Sequence, residues 1–501
     1  MTVKINKPLL AALEAGQYTP KVYKAFSYEL TASNQSGDTA ARVSRFATWF
    51  DTLDNQYLLM GQAFVAAFPG AWVKIDQNNN LIWTRAVTGG QSTLDRPFPV
   101  TQIFTDPTNT YYYLLGSSAL ANAQGYSKLM VSKWNISTHA NVWNKSYTIL
   151  TQNNDSGRRA PWAAYDSTTD TIYSTAPHQY GTTSTSYFGL HKIDGATGNL
   201  LLSKTSGNGN AGNAGNNDPV VTTAIFGSYI YIATFSATNI LVAKYNKSDF
   251  SLVWIKGDFN RATLGAGYGP SMNVDIYGNV FVAANLSSSQ TIIYKVSAAG
   301  TSMNYITVTT PSYNSMTAAK CLIGVQSIDV DEQDNVYLTY GYHNSLDTST
   351  ASNMIIGKIS FNGAQWRWLK AVDIIREDTG AVIGVSDGWS VNYYKGLVYI
   401  NGVCDVTTSG LTVDNNNEWQ TLNLKIDKNA GLLTNGSHVG TFSANRRSIK
   451  MNDIAQTAIT ASTFAGQNTT LLTTLVDTGA TTATATWTQT AVSTDYVNRY
   501  N

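Results

Sequence analysis

Seven times along the chain a lysine interrupts an apolar strand, and each time it has similar neighbours. The clearest stretches are AWVKIDQNNNLIWTRAV, LMVSKWNISTHANVWNKSY, FGLHKIDGATGNLLLSK, LVAKYNKSDFSLVWIKGDF and MIIGKISFNGAQWRWLK. The marker lysines are Lys74, Lys133, Lys192, Lys244, Lys295, Lys358 and Lys425, separated by 59, 59, 52, 51, 63 and 67 residues. That spacing is a repeat, and a repeat constrains a fold more tightly than any local propensity. After the lysine come an apolar or aromatic residue and, usually, Asp, Asn or Ser. About ten positions on stands a large side chain: Trp83, Trp143, Leu202, Trp254, Tyr305 or Trp368. The unit at Lys425 keeps the first strand and loses the aromatic.

A second marker precedes each lysine. It is a turn followed by a strand with an aromatic, as in DNQYLLMG, TNTYYYLLG, TDTIYST, FGSYIYIAT, YGNVFVAAN, QDNVYLTYG and KGLVYINGV. A further short strand comes before that, as in VQSIDVDE. Alternation in MIIGKIS and NVYLTY has period two, the strand period. One unit therefore reads strand, tight turn, strand, variable loop, strand with lysine, hairpin, strand with aromatic. The last stretch, QTAITASTFAGQNTTLLTTLVDTGATTATATWTQTAV, repeats this plan in weakened form. There Leu475 stands in the lysine's place before Val476 and Asp477, and Trp487 supplies the aromatic. The expectation is an all-β chain: a β-propeller of four-stranded antiparallel blades in eight units, seven clear and one degenerate, over residues 45–495. A short N-terminal arm (1–44) precedes it and a tail (496–501) follows. In LVAKYN the lysine is expected to lay its methylene stem on apolar surface while its ammonium reaches solvent or a carbonyl. Seven equivalent lysines are a structural device, not seven catalysts.

Composition narrows the function classes. Charged residues are 13% of the chain against 43% hydrophobic, and Ser, Thr, Asn and Gly fill the gap. With 33 basic and 32 acidic residues the net charge is +1, which supplies no field for steering phosphates, so nucleic acid is not expected as a partner. Cys321 and Cys404 are read as buried free thiols, since neither has a CxxC partner. The N-terminus lacks the apolar core and cleavage site of a signal peptide, and no apolar run of 18 residues occurs. A soluble protein with no membrane insertion is the expectation.

The unit LHKIDGATGNLLLSK resembles the repeat of the quinoprotein-dehydrogenase-like (PQQ-like) propeller superfamily, where an apolar strand, Asp, a TG turn and a strand ending in Trp recur. The resemblance is one of repeat pattern. The enzymes of that group carry a vicinal cysteine pair and acidic calcium ligands; this chain has no adjacent cysteines. VSDGWSV contains Asp387, Gly388 and Trp389 without the spacing of a sialidase Asp-box. In style, with few charges and abundant Asn, Thr, Ser, Gly and Tyr, the chain is similar to bacteriophage tail and appendage proteins.

No catalytic constellation stands out. The five histidines, His139, His178, His191, His343 and His438, fall in no metal spacing, and no metal or other cofactor is expected. Asp329, Asp331 and Asp334 in SIDVDEQDN invite a calcium reading, but the EF-hand pattern is absent and Asp334–Asn335 reads as a hairpin turn. SGNGNAGNAGNNDP (206–219) lacks the G-K-[ST] of a phosphate loop and reads as a flexible connection. Glu377 and Asp378 are paired acids with no second carboxyl in evidence. In the arm, Asn6 is a cap and Pro8 lies in the first turn. Leu9, Leu10 and Leu13 follow, with Gly16 as a stop, describing a short amphipathic helix before an extended segment. The arm either folds back as an edge strand or docks its leucines into a partner. The functional expectation is a non-enzymatic structural or adhesive protein, a virion component of a bacteriophage tail or appendage within a multimeric assembly. Its partners would be other virion proteins, reached through the arm, and a host surface glycan or receptor. HNSLDTSTASN and CDVTTSGLTVDNNNEW would supply recognition loops. The alternatives are a carbohydrate-binding or carbohydrate-cleaving propeller using Trp162 and Trp419, and a quinoprotein-type oxidoreductase.

Overall fold

The computed structural model describes residues 22–30, 47–60, 71–77, 80–88, 100–119, 127–148, 162–180, 185–206, 222–235, 239–260, 270–287, 290–311, 313, 321–322, 327–342, 354–376, 385–405, 419–432, 437–442, 447–464, 475–477, 481–484, 488–491 and 494–497. The leucine face of the arm, the 206–219 connection beyond Ser206, Glu377, Asp378, His343 and Trp487 lie outside them.

Hydrogen bonding sorts the strands into seven antiparallel blades. Blade 1 runs outward as Thr48–Phe50, Gln56–Met60, Ala71–Ile75 and Leu81–Thr88. Blade 2 is Gln102–Thr105, Tyr111–Ala119, Ser127–Asn135 and Asn141–Thr148. Blade 3 is Trp162–Asp166, Thr171–Tyr180, Thr185–Asp194 and Leu200–Ser206. Blade 4 is Thr222–Phe226, Tyr229–Phe235, Asn239–Asn246 and Leu252–Asn260. Blade 5 is Ser271–Val274, Val280–Ser287, Gln290–Val296 and Met303–Thr309. Blade 6 is Ile328–Val330, Asn335–Tyr342, Met354–Ser360 and Gln365–Arg376. Blade 7 takes three strands from Val385–Tyr394, Leu397–Asp405 and Trp419–Asp427. Its fourth strand is Val22–Leu30, antiparallel to the third from Val22 opposite Ile426 to Tyr28 opposite Thr421. One sheet thus draws residues from both sides of position 44, which closes the ring with chain from its two ends. Cys321 and Cys404 lie on strands of blades 6 and 7 respectively. Among the described residues no helix is long and apolar enough to cross a membrane.

The expected eighth unit is not a blade. Its strands separate, and each of them, like the strands just before and just after the stretch, lies against the outer edge of a different blade. Arg447–Asp453 pairs with blade 6 and Ile459–Phe464 with blade 5. Leu475–Asp477 then pairs with blade 3, Thr481–Thr484 with blade 2, Thr488–Ala491 with blade 1 and Thr494–Val497 with Val22–Leu30 on blade 7. This segment is a belt that runs round the rim against the order of the blades. The reason is geometric. With blade 7 completed by the N-terminal strand, what remains open is outer-edge hydrogen-bonding groups, and each short piece satisfies one row of them. Leu475 and Val476 belong to blade 3's sheet, so their likeness to Lys-Ile-Asp is accidental.

The apolar core lies between blades. Six hydrophobic clusters occupy the six junctions from blade 1–2 to blade 6–7. Tyr57, Trp72, Tyr112 and Trp134 lie in the first and Tyr337, Trp368, Val398 and Leu424 in the last. Junction 7–1 is different in kind. Phe50 stacks on Tyr394 at 4.3 Å, Asn401 Nδ2 donates to Thr48 Oγ1 at 2.6 Å, and Asn423 Nδ2 donates to Gln56 Oε1 at 3.0 Å. The seam that must form last is the one held by directional bonds. Removing residues 1–30 is expected to lower the unfolding temperature and to promote aggregation through the bared Trp419–Asp427 edge. Calorimetry and light scattering of the truncated protein check this.

Candidate functional site

The framework comes first, because it accounts for the marker lysines. In all seven blades the lysine faces an aromatic of the second strand in direct register: Tyr57, Tyr113, Tyr173, Tyr231, Phe281, Tyr337 and Tyr399 in turn. In six blades the ammonium lies 5.0–5.5 Å from that ring's centroid. Blade 3 is the exception. Its Tyr173 is approached by Lys247 of blade 4, which also pairs with Asp166. On the lysine's other side, in register, stand Trp83, Trp143, Leu202, Trp254 and Trp368. In blade 5 the expected Tyr305 is displaced by one position, opposite Tyr294, because that blade lacks the bulge that follows the lysine elsewhere.

Lysine and tryptophan converge on one acceptor in the next blade. Lys133 Nζ and Trp143 Nε1 donate to the Gly195 carbonyl at 3.1 and 3.3 Å. Lys244 Nζ and Trp254 Nε1 donate to that of Ala298 at 2.8 and 3.2 Å. Trp368 reaches the Lys428 carbonyl and Lys425 that of Gln77. Each acceptor is the third residue after the next blade's marker lysine, so the same hairpin is gripped at four of the seven junctions. Lys74 and Lys358 turn to Asp51 and Asp331 within their own blades, and Lys295 reaches Asp334 of blade 6 at 2.6 Å. Burial holds Lys74, Lys244 and Lys358 below the ordinary lysine range; beside Lys74 and Lys358 an aspartate opposes that shift.

The acid run also resolves into turns. Asp51, Asp275 and Asp331 each end a first strand and accept backbone N–H groups two and four residues on, at 2.8–3.0 Å. Asp334 occupies the left-handed region of its turn (φ 60°), as do Asp54, Asn109, Asp170 and Lys395 in theirs. Among the described residues no group of three or more His, Cys, Asp or Glu could hold a metal ion. His191 is buried between strands and hydrogen-bonds with Ser203, and His139 meets Trp83 edge-on. Trp162 is 5% exposed, at the start of blade 3's first strand, and is no loop aromatic.

Where blades agree, the shared residue builds the ring; where they differ, a site can be carried. The innermost strands differ most at the position opposite the conserved-in-register aromatics. The seven residues there are Trp49, Phe104, Ala164, Ala224, Asn273, Asp329 and Asn392. Trp49 and Phe104 meet edge-to-face at 5.2 Å, so one side of the inner ring is aromatic. Blades 5–7 make the opposite side polar, with Asp329 as its single acid. Its carboxyl is pushed up to about 7, chiefly by burial, with the charges of Asp331 and Glu332 acting the same way. A sequence reading sees Asp329 only as a member of an acid run. Register is what separates it from Asp331 and Asp334.

The two ends of the wheel are unlike. Turns between first and second strands and between third and fourth strands are short and lie at one end. At the other end lie the strand ends that flank the blade-to-blade and second-to-third connections. No family model and no curated protein matches the chain. Solved structures do. "Structure of Dos1 propeller" is 10% identical over 80% of this chain and 94% of that one, with a TM-score of 0.34. A dipeptidyl peptidase 4 of Porphyromonas gingivalis is 9% identical over 73% of this chain and 58% of that one, also at 0.34.

The framework makes a divided prediction. Lys244→Met loses one hydrogen bond and two ring contacts, with Tyr229 and Tyr231, yet removes a desolvated charge and leaves Trp254 on the Ala298 carbonyl. Its cost is expected to stay below about 1 kcal/mol. Trp254→Ala empties the junction itself and is expected to cost about 3–5 kcal/mol. Denaturant unfolding of the two variants checks the contrast.

Proposed function

We propose that the chain is a non-catalytic interaction platform, a structural component of a bacteriophage particle in a tail or surface appendage. The observation that carries this reading is a set of exposed apolar side chains that, among the described residues, gathers at the short-turn end. In six blades the bulge after the marker lysine leaves one residue of the fourth strand without a partner in the ladder: Ile82, Val142, Leu201, Val253, Arg367 and, in blade 7, Tyr23. The four aliphatic ones are 43–54% exposed and form an arc over blades 1–4. Leu53, Phe226, Ile276 and Tyr277 add to it from the neighbouring turns, all at the short-turn end. Single exposed apolar residues mean nothing, but a set gathered on one end is the mark of a surface that another protein covers.

The partner is a neighbouring protein subunit of the particle, seated on the short-turn end. The opposite end, with its longer segments, then faces outward for receptor or glycan contact. The recurring lysines, aspartates and aromatics support a non-catalytic reading because their polar atoms are engaged in holding blade to blade. Sedimentation of the purified chain over a concentration series is expected to show a defined multimer. Changing Ile82, Val142, Leu201 and Val253 together to Ser is expected to abolish it with the unfolding temperature preserved. A wild-type chain that stays monomeric at every concentration, and that shows no binding to particle proteins, overturns the reading.

A further inference from the structure

We propose that the short-turn end seats a second copy of this chain, face to face, about a two-fold axis lying between the two wheels and passing over blade 3. This pairing rests on the reading of that end as a covered face, and it names the occupant. When one wheel is turned over onto an identical one, the blade order of the upper copy runs backwards over the lower. An axis over blade 3 sets blade 3 on blade 3, 2 on 4, 1 on 5 and 6 on 7. Of the seven axes that lay blade on blade, this is the one that keeps blades 1–5 among themselves. Blades 1–5 are also the ones that carry the exposed apolar residues. A two-fold contact needs a patch complementary to itself.

The residues brought together meet that need pair by pair. Leu201, the extra fourth-strand residue of blade 3, falls on the axis against its own copy. Val142 of blade 2 and Val253 of blade 4 hold the same position in their blades and face each other. The first turns of blades 1 and 5 share one build, an aspartate that accepts from the backbone two and four residues on. Leu53 and Tyr277 therefore occupy equivalent places there, 65% and 64% exposed, and meet. Blade 6 falls on blade 7, and the match in that sector is one of charge. Glu332 is exposed in the first turn of blade 6 and Lys395 in the first turn of blade 7. Lys395 pairs with Asp54 of its own copy yet keeps its side chain 61% exposed, with donors left for a second carboxylate. Glu332 spends one oxygen on Tyr393 Oη at 3.1 Å and keeps the other.

Area and charge both admit the contact. The eight exposed apolar residues of this end offer on the order of 800 Å² per copy, about one partner's share of a standard interface. Identical faces repel where they carry like charge, and acids of this end are already matched. Asp166 pairs with Lys247, Asp170 with Lys133 at 3.6 Å and Asp334 with Lys295 at 2.6 Å, each across a blade junction. A two-fold pair also closes after two copies. Head-to-tail stacking would lay the short-turn end on the opposite end, use none of these matches and leave a face open for a further copy.

The test is sedimentation of Leu201→Asp and Leu201→Lys, each alone and the two mixed. Alone, each sets like charges against each other on the axis and is expected to weaken the dimer about 100-fold; the equimolar mixture is expected to return to within about tenfold of the wild-type chain. A wild-type dimer that the two variants weaken without rescue on mixing overturns the two-fold geometry and leaves the covered face standing. So does a wild-type chain that assembles beyond two copies. A wild-type chain that stays monomeric overturns the pairing, and binding to particle proteins then decides the covered face separately. Should either charge variant fail to fold, Val142→Cys and Val253→Cys take their place, treated with a bifunctional thiol reagent and compared with the wild-type chain, which carries Cys321 and Cys404. Crosslinking above that background in the mixture and in neither variant alone supports the pairing, and its absence from the mixture overturns it.

Discussion

The ring rests on blade-to-blade stacking, and in blades 2, 4, 6 and 7 on a contact with the hairpin of the next blade. A four-stranded sheet with two apolar faces cannot stand in water alone, so blades must stack. Stacking by apolar area is non-directional and would tolerate sliding or a different number of blades. The lysine and tryptophan of blades 2 and 4, the tryptophan of blade 6 and the lysine of blade 7, each meeting a hairpin carbonyl of the next blade, remove that freedom. The hydrogen bond and the cation–ring contact contribute about 1–2 kcal/mol each at most. The hydrophobic junction around Trp143 or Trp254 contributes more. Apolar area supplies the adhesion, and the polar grip supplies the register. That division explains why a lysine can be kept in an apolar strand although burial opposes its charge.

Closure poses a second problem, since the last junction must form between sheets far apart in sequence. Six junctions are apolar clusters between consecutive blades, while the seventh uses Asn401, Asn423, Lys425 and stacked rings. Blade 7 itself is a composite, its fourth strand coming from residues 22–30 and its fifth from 494–497. The belt then covers the outer edges of blades 6, 5, 3, 2 and 1 with short strands. Exposed edges invite pairing with other chains. A segment of alternating Thr and Ala suits the rim because its β-branched half favours extension while neither face demands a core.

Much of this was legible from residues. The lysine positions, the aromatic before them and the turn after the first strand lie where period-two alternation and turn chemistry put them. The belt was not legible as a belt. Leu475-Val476-Asp477 reads like Lys-Ile-Asp, and Thr-rich alternation has the same period whether its strands share a sheet or scatter over several. Periodicity identifies strands; it does not name their partners. Tyr305 was misplaced for a related reason, since the bulge that sets the spacing of the fourth strand is a property of the pair and not of either strand. Asp329 illustrates the limit for the site. Three aspartates within six positions look alike in sequence, but Asp331 and Asp334 stand in a turn with lysine partners, and Asp329 is buried between three blades.

A near-symmetric ring offers a direct way to separate structure from function. Each framework position is sampled seven times within one chain, so agreement across blades measures what packing requires without any second protein. At the lysine position all seven agree, and the contacts found there are inter-strand and inter-blade. At the inner-strand position the seven residues include two aromatics, two alanines, two amides and one acid. Packing alone does not demand that spread, since alanine and tryptophan serve at equivalent places. The bulge position splits in the same manner, aliphatic in blades 1–4, arginine in blade 6 and tyrosine in blade 7. Both departures run along consecutive blades instead of alternating, so each gives the wheel a front and a back within its own plane. A partner that reads such a polarity can bind in one orientation only, which an unbroken sevenfold ring could not enforce.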